Sequence, residues 1–488
     1  MNEMTNLYDI VKLQASKYSN KEAVYYGDSI ISYKELKKHI DNFSIFLNEN
    51  DILTGDIIGS ECKDEYAELI VMFALSKIGA TLISLKSLTQ TQRDELIDTL
   101  KIKSILTDDN KKENIYTVVS QENFILECSE EYDNYCKNPK SPWIYIVGSG
   151  TTGKSKIIPV SHFQQLQRAK ASLDWLNNSK DDVAHSLVNI SYYSSKVLYI
   201  QALLSASSCV LTKYPLDVFL LYKEFKISVM YMTVFHIEQL LNIINQEKFE
   251  GLVFPYIRAL VIDGSKVSMS LRERIYKSIT KNIYVRYGIN EVGTVSLCKA
   301  EEVFEHEDTV GFPIKEVDLK VVDKEGNDLD PNKIGEIKIR SNMLVDGYIN
   351  DSESTNKAFK DEWFFPGDLG MLTEGSHLII LGRSDNMMIL NGINIYPSQI
   401  EKVMLKHDEV VDAFAFSLNH QIHQDVPVCA IVNKVDSNIT DKDLMNYAIE
   451  NLGSYRPQAI VIFNKFPINE HGKIVKSIVK EKAIETIF

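Results

Sequence analysis

No CxxC pair, no excess of positive charge and no apolar run long enough to cross a membrane occur in this 488-residue chain. Each absence removes a class of function. The six cysteines (Cys62, Cys128, Cys136, Cys209, Cys298 and Cys429) are scattered, so neither a zinc site nor a disulfide framework is indicated, and they read as reduced thiols. Lysine and arginine total 53 against 67 aspartates and glutamates, a net charge of -14. That balance repels nucleic acid and anionic membrane surfaces and disfavours a polynucleotide partner. The N-terminal Met1-Asn-Glu-Met-Thr-Asn-Leu lacks a basic stretch followed by an apolar one. The expectation is therefore a soluble, cytoplasmic protein with no nucleic-acid and no membrane partner.

What is present is ordinary globular composition, 44% hydrophobic and 25% charged, which excludes disordered, collagen-like and disulfide-scaffold classes. The length allows roughly three folding units at about 150 residues each, or one large unit with a smaller one. From residue 7 to about 144, helical stretches (33–50, 66–78, 90–100) alternate with short apolar strands (23–26, 56–60, 81–85, 104–107). Such alternation predicts βαβ units and a largely parallel sheet. A second run of the same kind spans about 163–295, with strands at 183–190, 208–211, 229–232, 259–262 and 283–286. Residues 311–381 change to short β segments punctuated by turn residues. After Gly382-Arg383-Ser384-Asp385 the chain returns to mixed patterns, with helices from 397 and 441 and strands near 411–417 and 427–432. The expected fold class is α/β: a body of two wound α/β halves with a small β unit (residues 1–384), and a smaller C-terminal α+β domain (385–488). No internal repeat or low-complexity segment is visible.

The sharpest local signal is Gly148-Ser-Gly-Thr-Thr-Gly153-Lys154-Ser155, which follows the apolar strand 143–147 and satisfies the GxxxxGK[ST] spacing of a P-loop. Glycines let backbone N–H groups turn onto phosphate oxygens, and hydroxyls with a lysine complete an anion site. The alternative of a ligand-free Gly/Ser/Thr turn fits such specific spacing poorly. A P-loop needs a helix to begin inside the motif so that its N-terminus faces phosphate. Here Lys156-Ile-Ile-Pro159-Val160 follows, β-branched and closed by a proline that would break the first turns. The helix is expected after Ser161, and the loop joins two strands.

The chain at this point resembles the AMP-forming adenylating enzymes: acyl-CoA synthetases, peptide-synthetase adenylation domains and luciferases. Tyr145-Ile-Val-Gly-Ser-Gly-Thr-Thr-Gly-Lys-Ser-Lys156 looks like their signature loop, with Val147 unusual in its slot. Ile31-Ser-Tyr-Lys-Glu-Leu36 and Ala74-Leu-Ser-Lys-Ile-Gly-Ala80 are similar to early motifs. Tyr287-Gly-Ile-Asn-Glu291 follows, then Gly335-Glu336 with Asp346-Gly-Tyr348, Phe365-Pro-Gly-Asp368, Gly382-Arg-Ser-Asp385 and Phe466-Pro-Ile-Asn-Glu-His-Gly-Lys473. The order of the motifs along the whole chain carries the resemblance.

Joining a carboxylate to AMP brings two anions together while diphosphate leaves, so cations must neutralise the developing charge. The resemblance implies ATP and Mg2+ as cofactors, with Glu291 and a loop hydroxyl, Thr151, as metal ligands. It puts Ser149, Gly150, Thr151, Thr152, Gly153, Lys156, Tyr287, Gly288 and Asn290 around the nucleotide, with Tyr287 on adenine. Asp368 and Arg383 would hold the ribose. Lys473 would bridge carboxylate and α-phosphate, which with Glu291 and Thr151 makes the catalytic set. Taken alone, Lys473 is an ordinary surface lysine and Asp368 a turn residue. His420, His423 and Asp425 read as a polar loop and not a metal cluster.

Ser191, Tyr192, Tyr193, Gly264 and Gly288 are the candidate acid-binding residues. Adenylation domains for α-amino acids place an aspartate in the stretch matching Asn189-Ile-Ser-Tyr-Tyr-Ser-Ser195, and none occurs here. A buried ammonium without a counter-charge is costly, so an aryl, arylacetic or acyl acid is expected. Asn290 stands where the family has Thr, and Lys476 where it commonly has Arg. The resemblance implies acyl-adenylate formation and transfer to a thiol, with Asp385 as the hinge of a mobile C-terminal lid. The acceptor is coenzyme A or the phosphopantetheine of an acyl carrier protein. The competing readings are a carrier-loading adenylation enzyme, a P-loop NTPase, a luciferase-like oxidase and a non-catalytic adenylate-binding module.

Overall fold

Fourteen residues show how local sequence builds this fold. Glu65–Ile78 is apolar on every face, is capped by Asp64 accepting from the Ala67 N–H, and ends on Gly79 at φ 77, a left-handed position that glycine takes without strain. All but Lys77 of its residues are buried, so it is an interior crossover helix and not an amphipathic surface one. Its glutamates are buried too. Glu68 pairs with Lys196, and Glu65 accepts from the Thr212 N–H at 2.7 Å and the Thr212 hydroxyl at 3.0 Å. Neither carboxylate is left without a partner, as burial requires.

The computed structural model describes residues 4–86, 88–109, 115–125, 135–148, 156–212, 218–305, 309–390, 393–420, 424–435, 437–468 and 474–487. The fold is a large N-terminal α/β region with mixed sheets and a smaller C-terminal α+β domain. By their contacts the residues divide into two units: Met1–Glu307, Gly311–Asp318 and Arg340–Glu362 in the first, and Asp308–Val310, Leu319–Ile339 and Trp363–Phe488 in the second. This contact boundary takes 319–339 and 363–384 with the C-terminal part. Sequence patterning alone places the division at 384/385.

The first unit contains two sheets. One has the strand order Tyr116–Val118, Ser104–Thr107, Ile57–Ser60, Thr81–Ser84, Pro142–Gly148, Lys156–Ser161, parallel except for the last pair. The other has nine strands: Phe312–Pro313, Gly293–Cys298, Ile283–Ile289, Ala259–Asp263, Val229–Thr233, Val183–Ser186, Ser208–Leu211, Glu22–Tyr26 and Ser29–Ser32. Its interior is parallel and its two ends are antiparallel hairpins. The predicted strands form, although the one expected over 183–190 ends at Ser186, and the two halves are not wound separately. Glu22–Tyr26, hairpinned with Ser29–Ser32, joins the second sheet by pairing in parallel with Ser208–Leu211, Val24 opposite Cys209.

The second unit holds the antiparallel strands Gly335–Arg340, Asp368–Leu372 and Leu378–Arg383. It also holds a sheet built on the long hairpin Val410–His420 and Gln424–Asn433, with Ala459–Phe463 parallel to the latter. Alternation sorts that hairpin's side chains to two faces. Ala413, Ala415, Cys429 and Ile431 pack with Ile400, Met404, Leu444 and Ala448, whereas Phe414, Phe416, Val428 and Ala430 pack with Val479 and Ala483. Five cysteines, Cys62, Cys136, Cys209, Cys298 and Cys429, are buried and free. No helix among the described residues is long and apolar enough to cross a membrane.

Candidate functional site

In the nine-stranded sheet, four adjacent parallel strands end side by side: Tyr231 lies opposite Ser186, Thr233 opposite Asp263, and Ile262 opposite Val285. Ligands of open α/β sheets bind beyond such carboxyl ends. The segments that leave this edge carry Ser191, Tyr192 and Tyr193 after the first strand, Gly264 after the third, and Arg286 to Glu291 at the fourth. Parallel pairing aligns these strand ends, so the segments that follow them leave from one edge of the sheet.

The fourth strand, Ile283–Ile289, turns back at once into Gly293–Cys298, and Glu291 sits in that tight turn. Its Oε1 accepts from the Tyr348 hydroxyl at 2.8 Å. The Lys156 Nζ stands 4.6 Å from the centre of the Tyr348 ring, within cation–π range. The backbone joins the same partners, Val345 N–H donating to the Glu291 carbonyl at 2.9 Å and Ile349 N–H to Ile157 at 2.9 Å. Three motifs far apart in sequence, ending at Lys156, Glu291 and Tyr348, therefore meet.

The signature loop springs from a hairpin. Pro142–Gly148 pairs antiparallel with Lys156–Ser161, Gly148 opposite Lys156, and the next helix, His162–Leu176, starts only after the Ser161 cap. Ser161 and Gln164 form a reciprocal capping box. A P-loop requires the helix to begin within the motif, so this geometry removes the P-loop NTPase reading. Ser149, Gly150, Thr151, Thr152 and Gly153 lie outside the described residues, as does Lys473. Asn290 is exposed, Gly288 is exposed, and Tyr287 is half-buried on the strand opposite Ser296.

At the acid-side edge, Asp263 is bound by Arg286 at 2.8 Å through Nε and by the Tyr231 hydroxyl. Burial alone would lower the Arg286 guanidinium, but Asp263 and Tyr231 more than reverse this and hold it above its ordinary value. Burial and the Asp263 charge push the Tyr231 phenol up. Glu65 reaches the 189–195 stretch from the buried helix, accepting from Asn189 Nδ2 at 3.2 Å and the Ile190 N–H at 3.4 Å. Burial raises its carboxyl, with the Thr212 and Ile190 donors pulling the other way. Both carboxylates are thus committed to protein donors. The buried Ser191 hydroxyl has no hydrogen-bond partner among the described residues, which leaves it able to meet a ligand.

The residue that sequence reading passes over is Arg168, on the helix after the loop and 4% exposed. It donates to the Asn290 and Glu291 carbonyls at 3.0 and 2.7 Å, to the Met343 carbonyl, and to the Tyr193 hydroxyl at 2.6 Å. Tyr193 in turn donates to Gln165 at 2.7 Å. Nothing in a lone arginine on a helix announces this; only the three-dimensional return of the chain does.

In the second unit, Asp368 and Arg383 face each other across paired strands, Nη1 to Oδ1 at 3.6 Å. Arg383 also reaches the Pro366 carbonyl and Asp385, the latter at 3.4 Å in a single helical turn spanning Ser384–Asn386. The two residues expected at one ribose are neighbours.

No group of three or more His, Cys, Asp or Glu poised for a metal occurs among the described residues. Magnesium suits what is there: it keeps several waters and binds through one or two carboxylates together with substrate phosphates. Glu291, oriented by the Tyr348 hydroxyl whose ring also carries Lys156, would offer such a carboxylate.

Comparison with known proteins agrees with this geometry. Residues 11–349 match the model of the AMP-binding enzyme family, and 399–473 match the AMP-binding enzyme C-terminal domain. The putative acyl--CoA ligase YdaB of Bacillus subtilis (strain 168) is 25% identical over 95% of this chain and 96% of its own length. ATP-bound MatB from Rhodopseudomonas palustris superposes with a TM-score of 0.89 at 20% identity, covering 98% of each chain. The O-succinylbenzoate Coenzyme A Synthetase (MenE) of Bacillus subtilis, in complex with ATP and magnesium ion, gives 0.85 at 20% identity, over 97% of this chain and 99% of that one. These likenesses establish the fold.

Proposed function

The chain belongs to the AMP-binding enzyme family, and from that membership we propose that it is an AMP-forming acid–thiol ligase. It joins a carboxylic acid to the α-phosphate of ATP with release of diphosphate, and then passes the acyl group to the thiol of coenzyme A. The observation that carries the reading is the meeting of Lys156, Tyr348 and Glu291 beside the phosphate loop at the carboxyl edge of a parallel sheet. The names of the relatives, an acyl-CoA ligase and a coenzyme A synthetase among them, support coenzyme A as the acceptor.

The division of labour follows from charge. Glu291, with the Thr151 hydroxyl, would hold Mg2+, which when bound would offset the charge of the phosphates. Ser149, Gly150, Thr152, Gly153 and Lys156 face the phosphates, with Asn290 taking the family's Thr slot at the α-phosphate. Tyr287 and Gly288 line the adenine side, and Asp368 with Arg383 takes the ribose diol. Lys473 brings a cation to the attacking carboxylate and the α-phosphate, where attraction is strongest as charge develops. Residues 1–384 form the body and 385–488 a lid that pivots at Asp385 between the two half-reactions.

The acid lies against Ser191, Tyr192, Tyr193, Gly264 and Gly288. It carries no α-amino group, because Glu65 and Asp263 are already bound by protein donors and an unpaired buried ammonium is costly. Acid-dependent exchange of labelled diphosphate into ATP, across aryl, arylacetic, fatty and amino acids, tests this. Exchange with one non-amino class and AMP as product is the expected result. ADP formed without any acid would sink the reading.

A further inference from the structure

Buried arginines ordinarily face a carboxylate, and Arg168 does not: its five N–H groups go to three backbone carbonyls and one phenol. Nε and Nη2 both point to Met343 O, at 3.2 and 2.9 Å, Nη1 serves Tyr193 and Asn290, and the other Nη2 donor serves Glu291. No carboxylate lies within ion-pair distance of it among the described residues. One planar fork therefore spans three segments: the 189–195 stretch (the acid loop) at Tyr193, the turn of Glu291, and the stretch leading from Met343 to Tyr348.

Two features show that the space is built around this side chain. Gly293, at φ 96, would place a Cβ 3.0 Å from Arg168 Cδ, so a side chain there would strain the turn's backbone and crowd the arginine stem. Gln164, one turn earlier on the same helix, donates to the Leu344 carbonyl at 2.9 Å, so helix and stretch are fastened at successive levels. Arg168 thereby holds Glu291 twice. It fixes the carbonyl of Glu291 directly, and through Met343 it fixes the segment whose Tyr348 hydroxyl orients the Glu291 carboxylate.

We propose that Arg168 is a positioning residue that sets the metal-binding pose of Glu291 and links it to the acid loop through Tyr193. The inference rests on the reading of Glu291 as the magnesium carboxylate. Groups that orient a metal ligand typically change metal affinity or activity by about 10- to 100-fold when removed. Lysine in place of Arg168 keeps the charge and loses the fork, so it restores only part of the effect.

The test is Mn2+ affinity of the full-length protein in complex with α,β-methylene-ATP, read by electron paramagnetic resonance, with the KM for the acid measured alongside. Arg168→Gln and Glu291→Gln each weaken Mn2+ binding by about tenfold or more, Arg168→Lys falls between, and the double variant is little worse than Glu291→Gln alone. Tyr193→Phe raises the acid KM and weakens Mn2+ in the same direction. Arg258→Lys, which loosens the Asp182 contact elsewhere in the unit, lowers the melting temperature without moving Mn2+ affinity. Wild-type affinity in a folded Arg168→Gln, with Glu291→Gln weakened, overturns the positioning role alone. Wild-type affinity in Glu291→Gln overturns the metal reading beneath it. If Arg168→Gln fails to fold, unchanged Mn2+ affinity and acid KM in both Arg168→Lys and Tyr193→Phe overturn the proposal.

Discussion

His162 and His185 are buried rings whose charge the fold opposes. Burial holds both imidazoles down at about 4, with Val210 pulling His185 slightly the other way; an exposed histidine titrates near about 6.5. Between those two values the unfolded chain binds protons that the folded chain refuses. The stability is complete above about pH 6.5 and is lost as pH falls toward 4. The linkage amounts to about 2 kcal/mol per ring between pH 7 and pH 5. Neither nitrogen of His162 has a hydrogen-bond partner among the described residues, so His162→Met removes an acid liability and no side-chain hydrogen bond. Its urea midpoint falls less between pH 7 and pH 5 than that of the parent. Equal losses in the two proteins would show that the ring is not the source.

Among the elements, the hairpin and capped helix around the phosphate loop decide the most. Ser161 closes the hairpin and caps the helix that carries Gln164, Gln165 and Arg168. Ser161→Ala should cost about 1 kcal/mol of stability, the usual value of a lost N-cap, and lower the thermal midpoint measurably. A change within error would mean that strand pairing alone fixes the helix start. This region was legible in the sequence because its signals are local: a β-branched stretch, Pro159, then Ser161 three residues before Gln164. The strands at 104–107 and 208–211 were legible for the same reason, being short apolar runs bounded by turns. Arg168 and Tyr348 were legible only as a helix residue and a motif residue, since their meeting with Glu291 depends on long-range packing that leaves no periodicity in the chain. The pairing of Glu22–Tyr26 was hidden similarly, because any parallel partner offers the same β-branched face.

For the molecule as a whole, the proposed reaction needs a catalytic lysine from the C-terminal domain for one half-reaction only. Lys473→Ala should lower acid-dependent diphosphate exchange by about 100-fold or more, the scale of a lost transition-state cation, while thioester formation from preformed acyl-AMP stays near the parent rate. Equal loss of both, measured on a folded variant, would sink the lid assignment. The placement of the first strand has a consequence in time. Val24 pairs with Cys209, so the strand Glu22–Tyr26 emerges from the ribosome well before its parallel neighbour exists. At about 5–20 residues per second the wait is roughly 10–40 s. During that interval an apolar strand edge stands open to pairing with other nascent chains, and the nine-stranded sheet is complete only after Phe312–Pro313, when nearly two thirds of the chain has been made.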